Sequence, residues 1–179
     1  MCSIRGRLTL VARSRFLMAA TAAAGLAIGP AAAQTVTEKA ERDEIATVAK
    51  SDPVMAAAMH KAQAELPGFL ALSVAPQPGM KGFAVKVAIR EGEEAEHLWI
   101  APFSASGRQF SGAINNEPRA VLSVKLGQTI AFDQSEIVDW MYLDNGAMKG
   151  NYTACALLKS ASRREADLFK RKFGLACDL

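Results

Sequence analysis

The hydrophobic period of the chain changes twice, and those changes restrict the fold more than any other feature. After Asp52-Pro53, the residues Met55, Met59, Ala62 and Leu66 recur at helical spacing. From Gly82 the period drops to two. Phe83, Val85, Val87 and Ile89 alternate with Ala84, Lys86 and Ala88, the pattern of a strand with one buried face. Beyond Ser162 the helical period returns, with Ala166, Phe169 and Phe173 on one side. That order predicts an α+β fold: a curved antiparallel sheet of five or six strands with N-terminal and C-terminal helices packed on it.

Local signals place the joints. Asp52 can cap free amides and Pro53 suits the first helical position. Pro67-Gly68 is expected to interrupt that helix, with Phe69–Leu72 continuing past a kink or forming a separate turn. Strands are expected over 83–89, 97–103, 108–114, within 121–133 (bent at Gly127), and over 137–143 and 147–158. The last two flank Asp144-Asn145-Gly146, and Asn-Gly tolerates the positive φ angles of a tight hairpin. Ser162 and Glu165 have capping-box spacing, and Gly174 is placed to end the final helix.

The first 33 residues read as an export signal and not as part of the fold. Arg5, Arg7, Arg13 and Arg15 precede an uncharged apolar run, Phe16–Ile28, and Ala31-Ala32-Ala33 offers small residues for cleavage before Gln34. A retained anchor needs about 20 apolar residues, and this run is shorter and ends in Gly29-Pro30. The expectation is a periplasmic or secreted protein, with no membrane association after cleavage. Residues 34–51 form a polar lead-in or a short helix near 37–49, and 52–179 a single domain. The whole chain carries 21 basic and 18 acidic residues; without the four presequence arginines, 17 basic face 18 acidic. Binding nucleic acid needs clustered positive charge, so a nucleic-acid partner is not expected.

No motif announces a reaction. The two histidines, His60 and His97, have no second ligand at metal-binding spacing, so neither a metal nor another cofactor is expected. The acidic run Glu91, Glu93, Glu94, Glu96 reads as a solvated turn. Cys155 could act as a nucleophile with His97 as base, but its apolar strand suits a small buried hydrophobe better. Glu117, Asp133, Glu136, Asp139 and Asp144 supply carboxylates for acid–base work. Phosphate-cradling glycine loops are absent. Cys2 leaves with the signal, so Cys155 and Cys177 remain as an even pair in an oxidising compartment, expected to join as a disulfide. The alternative is a buried free Cys155 and a tail thiol at Cys177.

Seven segments in order carry a resemblance. They are D-P-V-M-A-A-A-M-H-K-A at 52–62, F-A-V-K-V-A-I at 83–89, E-H-L-W-I at 96–100, F-S-G-A-I-N-N-E-P at 110–118, V-K-L-G-Q at 124–128, I-V-D-W-M-Y-L-D-N-G at 137–146 and G-N-Y-T-A-C-A-L-L at 150–158. Together they resemble the bacterial YegJ-like family, a domain catalogued without an assigned function. The resemblance implies a single compact domain and no particular chemistry.

Within these segments Glu96, Trp99, Asn116, Glu117, Asp139 and Trp140 stand out as polar or aromatic residues among apolar neighbours. Two readings stay open. In one they are structural, with Asp139 accepting hydrogen bonds from a turn and the tryptophans filling core volume. In the other they form a recognition surface for a protein segment or a small polar ligand. The functional expectation is an exported binding or accessory domain, of which an inhibitor or immunity-type protein is one subclass. The alternative is a small periplasmic hydrolase using carboxylates near Asp139 and Glu117.

Overall fold

The computed structural model describes residues 52–177. Residues 1–51, with the signal segment and the helix expected over 37–49, and residues 178 and 179 lie outside the described residues.

Asp52 opens helix α1 (Pro53–Val74) by accepting from the amides of Val54 at 2.8 Å and Met55 at 3.4 Å. Six strands follow: β1 (Met80–Glu91), β2 (Glu94–Ser106), β3 (Gln109–Ile114), β4 (Thr129–Asp133), β5 (Ile137–Asp144) and β6 (Ala147–Gly150). Two helices close the order, α2 (Tyr152–Leu158) and α3 (Arg163–Phe173). All strand pairings are antiparallel, in the spatial order β4-β3-β2-β1-β5-β6. The chain is therefore α+β, as its hydrophobic periods imply.

Register decides which side chains reach the core. Val85 faces Ile100 and Trp140 across its two neighbours, and Val87 faces Leu98 and Ile137. These residues form one apolar cluster with Ala62, Leu66 and Phe69 of α1. Lys86, Trp99 and Asp139 occupy the alternate positions and share the opposite face. The core face has a second cover, residues 115–128 between β3 and β4, whose ends meet through Ile114 and Gln128. That excursion drives Val121, with 0% of its surface exposed, into the core.

Two expectations need correction. Pro67 does not interrupt α1, which runs through it. Leu66 and Phe69, either side of the proline, are both buried. Each contributes roughly 1.5–3 kcal/mol of burial, enough to offset the roughly 3 kcal/mol that an interior proline costs. The last expected strand is also shorter than its apolar run suggests. β6 ends at Gly150, and Tyr152–Leu158 form α2 instead. The hairpin itself stands: Asp144 pairs with Ala147, with Asn145 and Gly146 at φ 48° and 86°. Ser162 and Glu165 form the reciprocal capping box of α3, and Gly174 ends that helix in the left-handed conformation.

Candidate functional site

The six residues singled out in the sequence separate into three environments. Asp139 sits on β5, facing away from α1, with 0% of its surface exposed. Its Oδ1 accepts from the amides of Trp140 at 2.9 Å and Tyr152 at 3.2 Å. Its Oδ2 accepts from the Thr153 amide at 2.8 Å and the Thr153 hydroxyl at 2.6 Å. The Thr153 oxygen in turn accepts from Lys86 Nζ at 2.7 Å, and that ammonium stands 4.4 Å from the centre of the Trp99 ring. Burial pushes the Asp139 carboxyl above its usual range, while the Lys86 charge and the hydrogen bonds from Thr153 and Trp140 pull against it.

This network explains why α2 forms where a strand was expected. Asn151 occupies the cap position in the left-handed conformation and makes no side-chain cap bond. Asp139 supplies the cap from the neighbouring strand, satisfying the first two amides of the helix.

Glu96 lies on the core face, 1% exposed, and clamps the amides of Arg119, Ala120 and Val121 at 2.9–3.1 Å. Glu91 takes the next two, Leu122 at 2.6 Å and Ser123 at 3.1 Å. Five consecutive amides of the 115–128 excursion are thus held by two members of the run expected to be a solvated turn; Glu91, Glu93 and Glu94 are exposed as that reading expects, and Glu96 is buried against it. Asn116 Oδ1 accepts from the Trp99 amide at 2.7 Å, just beyond the end of β3. Glu117, next in the chain, is exposed.

Trp140 is a core residue. Its ring stacks on Phe69 at 4.9 Å and its indole nitrogen donates to the Ala62 carbonyl at 2.9 Å. Among the other candidates, Asp133 and Glu136 form a capping box around the short 3-10 turn Gln134–Glu136. Hydrogen bonds from Ser135 hold the Asp133 carboxyl below its usual range. Cys155 has no free thiol, because it is bonded to Cys177 with Cα atoms 5.6 Å apart. It belongs to α2 and not to a strand. Among the described residues no group of three or more His, Cys, Asp or Glu gathers as a metal site.

What sequence reading missed is a cleft of about 690 Å³ on the α1 side of the sheet, at its β6 edge. α1 forms one wall with Pro53, Ala57, Ala58 and Lys61; β6, α2 and the Cys155–Cys177 disulfide form the other. Trp140 and Tyr142 supply an aromatic floor. Among the described residues three lysines line it, Lys61 of α1, Lys149 of β6 and Lys159 at the end of α2, against one acid, Glu65. The Tyr152 hydroxyl donates to Glu65, and Lys61 lies 5.1 Å from the Tyr152 ring centre. Burial first, then the bond to Glu65, raises the Tyr152 phenol above its ordinary value. Of the six residues singled out in the sequence only Trp140 lines this cleft; its cations carry no sequence signal, since they are separated by up to 98 positions and meet only through the fold.

A bacterial family described as "Uncharacterized protein conserved in bacteria (DUF2314)" matches residues 52–177. The uncharacterized protein YegJ of Escherichia coli is 36% identical over 90 residues, covering 50% of this chain and 59% of that protein. A protein of Neisseria meningitidis serogroup B that carries an ankyrin-repeat name is 32% identical over 75 residues, covering 42% of this chain and 30% of that protein. The chain thus spans 59% and 30% of the lengths of these two relatives. No solved structure matches it.

Proposed function

This chain belongs to the DUF2314 family of bacterial proteins, and from that premise we propose that it is an exported binding or accessory domain whose ligand seats in the cleft between α1, α2, β5 and β6. The observation that carries this reading is a contrast. The cleft is open, aromatic-floored and rimmed by charge, whereas both oxygens of Asp139 are occupied by donors and sealed from solvent. A general base must reach the proton that it abstracts, so this saturation weighs against a hydrolase built on Asp139 and Glu117. An inhibitor or immunity-type role is one form that binding by a small α+β domain takes; that step is analogy at the level of fold.

Export is the second part of the proposal. It is supported by the charged, apolar and small-residue order of residues 1–33. The Cys155–Cys177 bond agrees with it, because disulfides persist in oxidising compartments.

A small-molecule thermal-shift screen, run beside a broad hydrolase screen, tests the binding reading. Ala58→Trp fills the cleft from the α1 wall. We expect ligands that raise the unfolding temperature of the native protein and not that of the variant, with no turnover in either. Saturable hydrolysis that survives Ala58→Trp and disappears in Glu117→Gln would overturn the reading.

A further inference from the structure

We propose that the cleft takes a small amphiphilic organic anion, a single carboxylate, phosphate or sulfonate head on an apolar body. This rests on the reading that the cleft is the ligand seat, and it adds the chemistry of what enters.

Charge comes first. Glu65 is the one acid among the described lining residues, and it is already engaged by the Tyr152 hydroxyl and by the Lys61 ammonium at 3.9 Å. Among the described lining residues no acidic side chain opposes Lys149 or Lys159. The described lining therefore carries an excess of positive charge, with Lys149 and Lys159 on the β6 and α2 side. A focused field of one sign raises the local concentration of the opposite charge.

The floor decides the rest of the ligand. Trp140 and Tyr142 are mostly buried and stack at 6.1 Å, backed by Phe69 and Phe83. Two of the three polar handles that the lining aromatic residues could lend to a ligand are in use, the Trp140 indole nitrogen held by Ala62 and the Tyr152 hydroxyl by Glu65, which leaves the Tyr142 hydroxyl. A neutral polyhydroxylated ligand would lose its hydrogen bonds to water and find few replacements. An apolar body loses nothing there, and Ala57, Ala58 and Ala156 leave room for it. The volume of about 690 Å³ falls within the range of small-molecule sites. A bare inorganic anion fits poorly, because no arginine stands among the described lining residues to grip it bidentately.

Two fluorescent probes of matched shape separate head from body: anilinonaphthalene sulfonate, which is anionic, and uncharged phenylnaphthylamine. Each is titrated into the folded protein, into the double variant Lys149→Gln/Lys159→Gln, and into Ala58→Trp. We expect the sulfonate to bind more tightly than the amine. The double variant should weaken the sulfonate about tenfold, roughly threefold per lysine, and leave the amine unchanged. Added salt should act in the same direction. Equal affinity of the two probes, insensitive to the lysines, would overturn the anion inference while leaving the cleft as the seat. Probe binding untouched by Ala58→Trp would instead remove the cleft itself. Should that variant fail to fold, Ala57→Phe fills the same wall from the preceding position, and the lysine variants, altered only at exposed positions, still decide the question of charge.

Discussion

Gly146 and Gly150 lie four positions apart in one hairpin and answer different demands. Gly146 has φ 86° with nothing near the place a Cβ would occupy, so it serves the turn alone. Gly150 has φ 75°, and a Cβ there would strike the Trp140 carbonyl and come within 2.5 Å of its ring at Cε3. Gly146→Ala should therefore cost about 1 kcal/mol, the left-handed penalty alone. Gly150→Ala should cost about 3 kcal/mol, since overpacking against a rigid ring adds to it. Denaturant unfolding of the two variants checks this; equal losses would mean that Trp140 yields. Asp139→Asn should lose about 3 kcal/mol, because an amide group turned toward Trp140, Tyr152 and Thr153 faces donors and leaves buried Lys86 without its countercharge. Glu117→Gln, on an exposed position, should stay within about 0.5 kcal/mol. A sequence shows that Glu96 and Asp139 are unusual residues for a strand. It does not show that their partners are backbone amides 23–25 and 13–14 residues away.

Elements that begin and end on their own residues were legible, and those capped from elsewhere were not. Asp52, Asn145-Gly146 and the Ser162–Glu165 pair each act locally, so α1, the β5–β6 hairpin and α3 could be read from spacing. Tyr152–Leu158 is buried on nearly every side, apolar but for Thr153, and takes its cap from Asp139 on β5; periodicity cannot distinguish such a stretch from a buried strand. The disulfide joins this helix to the tail across 22 positions. Chain entropy puts its contribution at about 3 kcal/mol, so Cys155→Ser with Cys177→Ser should lower stability by that amount. Thiol titration of the denatured, unreduced chain beginning at Gln34 should find no free thiol. Two per chain would contradict the bond.

For the molecule as a whole, protein recovered from the periplasm should have the mass of a chain starting at Gln34, because Ala31 and Ala33 suit cleavage there. A species retaining Met1–Ala33 in that compartment would point to an anchor. The chain has two tyrosines, Tyr142 and Tyr152, and burial raises both phenols in the fold. Above their ordinary value near 10 the folded state keeps protons that the unfolded chain releases, so stability falls as pH rises through that range. Phenolate absorbance should therefore appear late and together with unfolding. Its appearance near the ordinary value in still-folded protein would show that neither ring is sheltered.

The central claim is that ligand enters between α1 and the β5–β6–α2 edge. Amide chemical shifts followed during titration with anilinonaphthalene sulfonate test it most directly. We expect saturable shifts gathered at Ala58, Lys61, Lys149, Tyr152 and Ala176, the walls of the cleft. Shifts gathered instead on residues 119–123, where Glu91 and Glu96 hold the excursion, would contradict it.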